Sequence, residues 1–387
     1  MRRIAINERP RWRERARELG FAFHSPNGEV YWDESACYAF TLAEIENEIE
    51  DVAQDLEGLC MSAVARIVGD DRLLQRMAVP RSGWELIRQS WRRNDPSLYG
   101  RFDFSYVGGS RAKLLEYNAD TPTALYEAAA FQWFWLEDQI KAGRLPADAD
   151  QFNSIHEKLV SRFSELAGKG ALYLTSYAEH AEDRGTVDYI ADCARQGGFE
   201  TRFIAIGDIG LGSDGQFYDL DNKPIQRLFK LYPWEWMLNE AFAPGLSTSY
   251  TAFLEPPWRA LLSNKGMLAV LWEMAPNHPN LLPAYFSDDP AARALQDNCA
   301  IKPLYSREGA NVTLVSHGAT VDAADGAYGR EGHIVQGLAP LPNFDGNYPV
   351  VGAWIVAGRA CGLGIREDAS PITKNTSRFV PHVIETA

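Results

Sequence analysis

Acidic, amide and basic side chains alternate with apolar ones in the stretch RFDFSYVGGSRAKLLEYNADTPT, residues 101–123. The alternation predicts two strands joined by a glycine-containing turn. Successive side chains of a strand point to opposite faces, so Arg101 and Asp103 share one face of the first strand. For the same reason, Glu116 and Asn118 share one face of the second strand. Four side chains that could bind cations and anions are thus presented by one hairpin.

The pairing of these two strands depends on the turn between them. A two-residue type II′ turn with Gly109 at its first central position pairs Asp103 with Glu116 and Arg101 with Asn118. Like charges directly opposite each other destabilise a sheet, and a divalent cation between them reverses that penalty. Carboxylate and amide oxygens are ligands that Mg²⁺ prefers, and an arginine beside them can hold a phosphoryl group. The alternative is that these side chains are merely solvated on an exposed sheet face. The pairing also depends on the register, because a slip of one residue would undo it.

The surrounding sequence predicts the elements that hold the hairpin. The two strands are expected over 98–107 and 112–118, after a long helix that starts at a capping box, Thr41 to Glu44, and ends near Gly69. Further along we expect a helix over 124–140, a strand over 171–178, a helix over 183–198, a strand over 200–210 and a helix-rich stretch over 230–274. The strand-helix-strand order favours a parallel sheet, and the strand-rich last ninety residues favour an antiparallel one. The fold class is therefore α/β with an α+β region.

Composition excludes several classes of protein. With 387 residues and 46% hydrophobic residues the chain has material for a large core, which excludes global disorder. The formal net charge of −14 excludes a uniformly basic surface for nucleic acid, and it suits either a cationic substrate or plain solubility. The five cysteines form no CxxC pair, so we expect reduced thiols and a cytoplasmic location. No secretory signal and no membrane-spanning stretch are expected.

The runs Arg101-Phe-Asp103 and Leu115-Glu-Tyr-Asn-Ala-Asp120 resemble the metal-binding hairpin of the glutathionylspermidine synthase family. The members of this family are ATP-grasp carboxylate–amine ligases. The resemblance extends over nearly the whole chain, from NERPRW to SRFVPHVI, and is greatest to the short members described as acid–amine ligases. It implies an ATP-grasp fold of the glutathione-synthetase-like type, with a parallel-sheet substrate subdomain and an antiparallel lid. The bifunctional members carry an N-terminal amidase domain, for which this chain has no room.

The resemblance also implies an organisation and a set of site residues. One catalytic unit over 1–387 is expected, with subdomains over approximately 1–165, 166–260 and 261–387. The implied metal ligands are Asp103, Glu116 and Asn118, and the implied catalytic arginines are Arg101 and Arg366. The implied ATP-binding residues are Arg101, Asp103, Lys265, Lys302, Glu308, Gly309 and Gln336. The implied substrate-binding residues are Thr121, Thr123, Glu182 and Asp183, of which the threonines and Asp183 replace serines and a glutamate of the family.

The resemblance thus implies a ligase that depends on ATP and Mg²⁺ and forms an amide through an acyl phosphate. The expected partners are a peptide or glutathione-like carboxylate and a polyamine-like amine, with neither nucleic acid nor membrane. The alternatives are a phosphotransferase and a non-catalytic nucleotide-binding protein on the same fold. The polar and aromatic segment 230–235 either borders the substrate cleft or packs away from it, and the oligomeric state stays open.

Overall fold

The structure, a computed structural model, describes residues 1–166, 168 and 170–385. Its strands are, in chain order, β1 (Arg2–Ala5), β2 (Ala36–Thr41), β3 (Tyr99–Ser105), β4 (Lys113–Asn118), β5 (Leu172–Ser176), β6 (Thr201–Ala205), β7 (Gly210–Leu211), β8 (Phe217–Tyr218), β9 (Arg227–Lys230), β10 (Ala252–Leu254), β11 (Ala284–Phe286), β12 (Asn298–Pro303), β13 (Thr313–Ser316), β14 (Ala319–Ala323), β15 (His333–Gly337), β16 (Tyr348–Val356), β17 (Arg359–Asp368), β18 (Arg378–Val380) and β19 (His382–Glu385).

The α-helices are α1 (Trp12–Glu18), α2 (Asp51–Val68), α3 (Asp71–Arg76), α4 (Arg81–Arg92), α5 (Gln132–Lys141), α6 (Ile155–Leu166), α7 (Ala181–Gln196), α8 (Trp234–Met237), α9 (Ala243–Thr248), α10 (Ala260–Ser263) and α11 (Gly266–Met274). Segments of π-helix, Glu44–Glu50 and Glu127–Phe131, lead into α2 and α5. Short 3₁₀ turns lie at Pro26–Gly28, Ile206–Asp208, Pro257–Arg259 and Pro290–Leu295. No helix in the described part of the chain is long and apolar enough to cross a membrane.

The predicted hairpin forms one edge of a five-stranded antiparallel sheet, ordered β18-β17-β16-β3-β4. Phe102 and Phe104 point to one face of β3 and are fully buried in the core that includes α2. Arg101 and Asp103 therefore lie on the opposite face, as the alternation of strand side chains requires. The apolar side of the hairpin anchors it, and its polar side is left for chemistry.

Two further sheets complete the frame of the site. The strands β10-β9-β5-β6 form a parallel sheet, in which α7 connects β5 to β6. The strands β11-β15-β12-β13-β14 form an antiparallel sheet beside the hairpin. The strand-helix-strand prediction and the antiparallel prediction for the last part of the chain are both confirmed. The mixed α/β class is confirmed with them.

The turn of the hairpin differs from the predicted two-residue turn. Strand β3 ends at Ser105 and β4 begins at Lys113, so residues 106–112 connect the strands, instead of a two-residue turn at Gly109. The register nevertheless pairs Asp103 with Glu116 and Arg101 with Asn118, as predicted. A bulge restores it, because one extra residue of β4, Leu115, stands between the partners of Asp103 and Phe104.

The first long helix is confirmed in its position and in its ending at Gly69. The backbone N–H of Thr41 donates to the Glu44 carboxylate at 2.9 Å, and the N–H of Glu44 donates to the Thr41 hydroxyl at 3.2 Å, so the capping box forms. Gly69 follows the last helical residue with a φ of −85°, so it does not adopt the left-handed conformation expected of a glycine cap. The chain turns there into α3, whose first N–H groups bond the side chain of Asp70.

The proposed subdomains over about 1–165, 166–260 and 261–387 stay a prediction. The parallel sheet lies within the second range and the lid-like antiparallel sheet within the third. The hairpin sheet combines β3 and β4 from the first range with β16, β17 and β18 from the third. The site therefore lies on a sheet to which both the first and the third range contribute strands.

Candidate active site

Four side chains of the hairpin form one hydrogen-bonded cluster. Arg101 donates hydrogen bonds to both carboxylate oxygens of Asp103, from Nε to Oδ1 at 2.6 Å and from Nη2 to Oδ2 at 2.9 Å. The amide nitrogen of Asn118 donates to Asp103 Oδ2 at 2.9 Å and to Glu116 Oε1 at 3.1 Å. The structure thus brings the predicted catalytic arginine and the three predicted metal ligands into direct contact.

Two lysines approach the cluster from other elements. Lys265 precedes α11, and its Nζ lies 2.8 Å from Glu116 Oε2 and donates to the carbonyl of Ser306 at 2.6 Å. Lys302 is on β12, and its Nζ donates to the carbonyl of the bulge residue Leu115 at 2.9 Å. The bulge that sets the register of the hairpin thus also supplies an acceptor for the second lysine.

These charges determine the ionisation of the site. Burial alone raises the pKa of Glu116, but the charges of Lys265 and Lys302 outweigh it and lower that pKa to about 2. Burial lowers the pKa of Lys302 to about 8, although Glu116 acts in the opposite sense. Burial raises the pKa of Asp103 despite the guanidinium of Arg101. Glu116 is therefore anionic at neutral pH, while Lys302 is close to titration.

The donor set fits a hard cation such as Mg²⁺. Within residues 1–166, 168 and 170–385 no group of three or more His, Cys, Asp or Glu side chains is arranged as a metal site. The hairpin instead offers two carboxylates and an amide, and Mg²⁺ commonly completes such a set with water and phosphate oxygens. The amide of Asn118 now points its nitrogen at both carboxylates. To serve as a ligand it must turn so that its oxygen replaces the nitrogen.

A cleft of about 330 Å³ opens between the hairpin and the antiparallel sheet. Its lining includes apolar side chains, among them Val312, Leu314 and Leu338, and the two lysines Lys265 and Lys302. Asp103 and Glu116 also line this cleft. A lining that combines apolar side chains with two lysines suits a nucleotide, whose base is flat and apolar and whose phosphates are anionic. Gly309 also lines this cleft.

Gln336 lies in the wall of the same cleft, but its side chain is occupied. It is 1% exposed. Its Oε1 accepts from Lys302 Nζ at 2.7 Å, and its Nε2 donates to the carbonyl of Leu114 at 2.9 Å. In this structure, therefore, Gln336 orients Lys302, and its predicted part in binding ATP stays a prediction.

The loop after β12 lies across the cluster. Glu308 and Gly309 have φ values of 52° and 72°. A side-chain Cβ at Gly309 would lie 2.5 Å from the carbonyl of Thr373, so only glycine fits there. Arg307 donates to Glu235 at 3.1 Å and to the hydroxyl of Thr121. Glu308 and Gly309 were predicted site residues, whereas Arg307 was not, although it holds this loop against Thr121 and Glu235.

A larger cavity of about 1030 Å³ lies on the other side of this loop. All four predicted substrate residues line it, namely Thr121, Thr123, Glu182 and Asp183. Thr121, Thr123 and Glu308 also line the small polar cavity over the hairpin cluster, so the two spaces adjoin there. The predicted second catalytic arginine, Arg366 on β17, lines that polar cavity together with Arg101.

Backbone carbonyls hold Arg366 in place. Its Nε donates to Ser377 at 2.9 Å and its Nη2 donates to Lys374 at 3.0 Å. The guanidinium lies 5.2 Å from the ring centroid of Tyr31, which lines the large cavity. Arg366 therefore lies between the cluster on the hairpin and the predicted substrate space.

A buried ion pair beneath the cluster was missed by sequence reasoning. Asp120 and Lys230 have no exposed side-chain surface, and Lys230 Nζ lies 2.5 Å from Asp120 Oδ1. Asp120 Oδ2 accepts from the backbone N–H of Trp234 at 2.8 Å. The pair ties the end of β4 to the segment 230–235, which borders the cavity through Glu235. Of the two possibilities for that segment, the structure shows the cleft border.

The fold and the cleft define the class of protein. The chain has the fold of glutathione-synthetase-like proteins: a glutathione synthetase-like effector from Globodera pallida matches 98% of both chains with a TM-score of 0.57 at 11% identity. That likeness concerns the fold alone.

A model of the family described as "Glutathionylspermidine synthase preATP-grasp" matches residues 3–385. The chain therefore belongs to the glutathionylspermidine synthase family. It is 43% identical to a protein of Haemophilus influenzae named "Putative acid--amine ligase", over 97% of each chain. The prediction of an enzyme of the acid–amine ligase class is thereby confirmed, and this ATP-grasp-related family implies the use of ATP.

Longer relatives share the same region. The "Bifunctional glutathionylspermidine synthetase/amidase" of Escherichia coli is 25% identical over 97% of this chain and 63% of its own length. The "Trypanothione synthetase" of Crithidia fasciculata is 27% identical over 82% of this chain and 52% of its own length. The chain thus spans less than two thirds of these two relatives.

Proposed function

We propose that the protein activates a carboxylate with ATP as an acyl phosphate and joins it to an amine, releasing ADP and phosphate. One observation carries this proposal: a cluster of Arg101, two carboxylates and an amide lies between a cleft that combines apolar side chains with two lysines and a large cavity that the predicted substrate residues line. A phosphoryl group transferred at the cluster would pass from the cleft side to the cavity side. The proposal treats residues 1–387 as one catalytic unit.

The residues of the cluster would act by binding and by neutralising charge. Asp103, Glu116 and Asn118 would hold Mg²⁺, which when bound neutralises phosphate charge. Lys265 and Lys302 would bind the phosphates of ATP. Arg101 and Arg366 would stabilise the oxygens of the transferring phosphoryl group, because placed charges act strongly in a site that excludes water.

The loop that carries Arg307, Glu308 and Gly309 would separate the reaction from solvent. An acyl phosphate hydrolyses if water reaches it before the amine does. The ion pair of Arg307 with Glu235, and its bond to Thr121, would hold this loop over the cluster while the intermediate exists. The loop would therefore determine how much amide forms for each ATP consumed.

The proposed substrates are a peptide-like carboxylate, such as glutathione, and a polyamine-like amine. The name of the Escherichia coli relative supports this choice, because it describes a glutathionylspermidine synthetase. The large cavity supports it as well, because Asp183 lines it and would attract the protonated amino groups of a polyamine that do not react. A cytoplasmic location, where ATP and such substrates occur together, is part of the same proposal.

The test measures ADP release with ATP and Mg²⁺ across a panel that pairs glutathione and small peptides with polyamines and amino acids. Each mixture is examined for a new amide by mass. ADP that requires both an acid and an amine, with the matching mass gain, supports the ligase. ADP without an amide would instead indicate a phosphotransferase, and ATP binding without turnover would indicate a non-catalytic nucleotide-binding protein.

A pair of matched variants tests the site in the same assay. Glu116→Gln removes the carboxylate that both lysines face and is expected to abolish ADP formation in a folded protein. Glu200→Gln makes the same change at a carboxylate that is 64% exposed, and it should leave the rate unchanged. Activity that survives in Glu116→Gln would refute the assignment of the metal and phosphate site.

A further inference from the structure

Two carboxyl groups near the large cavity, one fully buried and one partly buried, have no part in the mechanism above. Glu127 begins the π-helical segment before α5 and is fully buried. Its Oε1 accepts a hydrogen bond from the hydroxyl of Tyr31, while its Oε2 has no hydrogen-bond partner among the described residues. Glu182 at the start of α7 lines the cavity, and its Oε1 likewise has none. Unpaired buried carboxyl oxygens are costly, so their presence at a site calls for a function.

The pKa values of both carboxyl groups are raised, chiefly by burial. Burial and the charge of Glu127 raise the pKa of Glu182 to about 8; Glu308 and Asp183 act in the same direction and Arg366 in the opposite one. Burial also raises the pKa of Glu127, against the effect of Tyr31 and Arg366. Neighbouring carboxyl groups with raised pKa values can hold one proton between them near neutral pH.

Other groups of the cavity are less suited to accept a proton. His180 is exposed, with 65% of its side-chain surface accessible, and it lies 3.3 Å from Asp183. Asp183 therefore has a partner, whereas Glu182 Oε1 has a free acceptor position among the described residues. An efficient general base has a pKa close to the working pH, and it must lie where the nucleophile binds.

We propose that Glu182 accepts the proton of the attacking amine, and that Glu127 and Tyr31 position and tune it. This inference rests on the proposed function, because it assigns the proton of that reaction. As the nitrogen bonds to the acyl carbon, the carbon–oxygen bond to phosphate breaks and phosphate leaves with that electron pair. One N–H proton passes to the Glu182 carboxylate, and the nitrogen keeps the pair of the broken N–H bond. Glu182 then releases the proton to water in the open cavity.

The test separates proton transfer from acyl phosphate formation by using two nucleophiles. Glutathione and ATP are supplied with either spermidine or hydroxylamine, a weakly basic nucleophile that traps acyl phosphates as hydroxamates without a protein base. In Glu182→Gln we expect kcat for the spermidine amide to fall about 100-fold, the lower end of the range for general-base catalysis. Hydroxamate formation should stay within about threefold of the wild-type rate. Glu179→Gln, an exposed carboxylate on the same segment, should retain both activities.

The outcomes distinguish this inference from the function on which it rests. No hydroxamate and no amide from the wild-type protein would count against the proposed function with these substrates. Hydroxamate from the wild-type protein supports that function by itself. The inference is overturned if Glu182→Gln loses hydroxamate and amide formation equally. It is also overturned if the variant keeps the wild-type kcat for the amide and only its KM for spermidine rises.

A second variant tests the tuning by Glu127. In the wild-type protein kcat for the amide should rise with pH through the titration of Glu182. Glu127→Gln removes the neighbouring charge, so this rise should move to lower pH while hydroxamate formation is retained. A rise that stays at the wild-type pH would overturn the part assigned to Glu127, since a purely structural residue would change the rate without moving the profile.

Discussion

The buried pair of Asp120 and Lys230 gives the sharpest test of how the site is supported. Lys230 Nζ also donates to the carbonyl of Tyr232 at 2.9 Å and lies 4.7 Å from the centroid of the Trp234 ring. Both partners lack exposed surface, so water cannot compensate either charge once the other is removed. Lys230→Met keeps an unbranched apolar side chain of nearly the same length and removes the ammonium group.

The size of the effect follows from this burial. Breaking a buried ion pair on one side costs about 3–5 kcal/mol, because an uncompensated charge is left in a medium of low polarity. Replacing both partners by neutral groups is often close to neutral in stability. We therefore expect Lys230→Met to lose about 3–5 kcal/mol of unfolding free energy, and the double variant with Asp120→Asn to lose less than about 2 kcal/mol. The amide oxygen introduced by Asp120→Asn would still offer an acceptor to the N–H of Trp234.

The measurement is urea unfolding of the wild-type protein, the two single variants and the double variant, with the slope m checked for constancy. Lys223→Met is the control, since Lys223 pairs with Asp221 at 3.1 Å but both side chains are more than half exposed. Surface pairs contribute little, so this variant should unfold like the wild type. The reasoning fails if the double variant loses the sum of the two single losses, because the pair would then not be coupled.

Three further predictions concern pH and the loop. Burial lowers the pKa of His382 to about 3, and its Nε2 accepts the N–H of Phe152 at 3.1 Å, so the folded state holds it neutral. Stability should thus decrease as pH falls from about 6.5 towards the folded pKa, by up to about 1.4 kcal/mol per pH unit, and His382→Gln should lessen that slope in urea titrations. Because the pKa of Lys302 is about 8, ATP affinity measured by calorimetry should decline as pH rises through that value, and Lys302→Arg should remove the decline. Arg307→Glu should lower the amide formed per ADP, and the swap with Glu235→Arg should partly restore it; equal ratios in all these variants would contradict the docking of the loop.

Local patterns predicted the polar face of the hairpin because alternation is a property of neighbouring residues. The register of Arg101 with Asn118 was right although the turn was wrong, since the seven-residue connection and the bulge at Leu115 offset each other. Nothing in the local sequence marks that bulge. Its carbonyl is bonded by Lys302, which lies 187 positions away in the chain.

Long-range partners account for the rest of what the sequence did not show. Lys230 is 110 positions from Asp120, and Tyr31 is 96 positions from Glu127. Each of these side chains alone is typical of an exposed or core position, and only the fold makes it a buried partner. Gln336 is the reverse case, because its position in the cleft was predicted while its bond to Lys302 was not.

The pairing of β3 with β16 has a consequence for how the enzyme is made. Strand β3 is complete at Ser105, but its neighbour begins only at Tyr348. While the ribosome synthesises the residues between them, one edge of the β3–β4 hairpin has no partner and can associate with other chains. Closing so long a loop is also slow, since contacts between distant residues form late in folding. The active site should therefore appear only after synthesis, and shortened chains that lack β16 should aggregate rather than bind nucleotide.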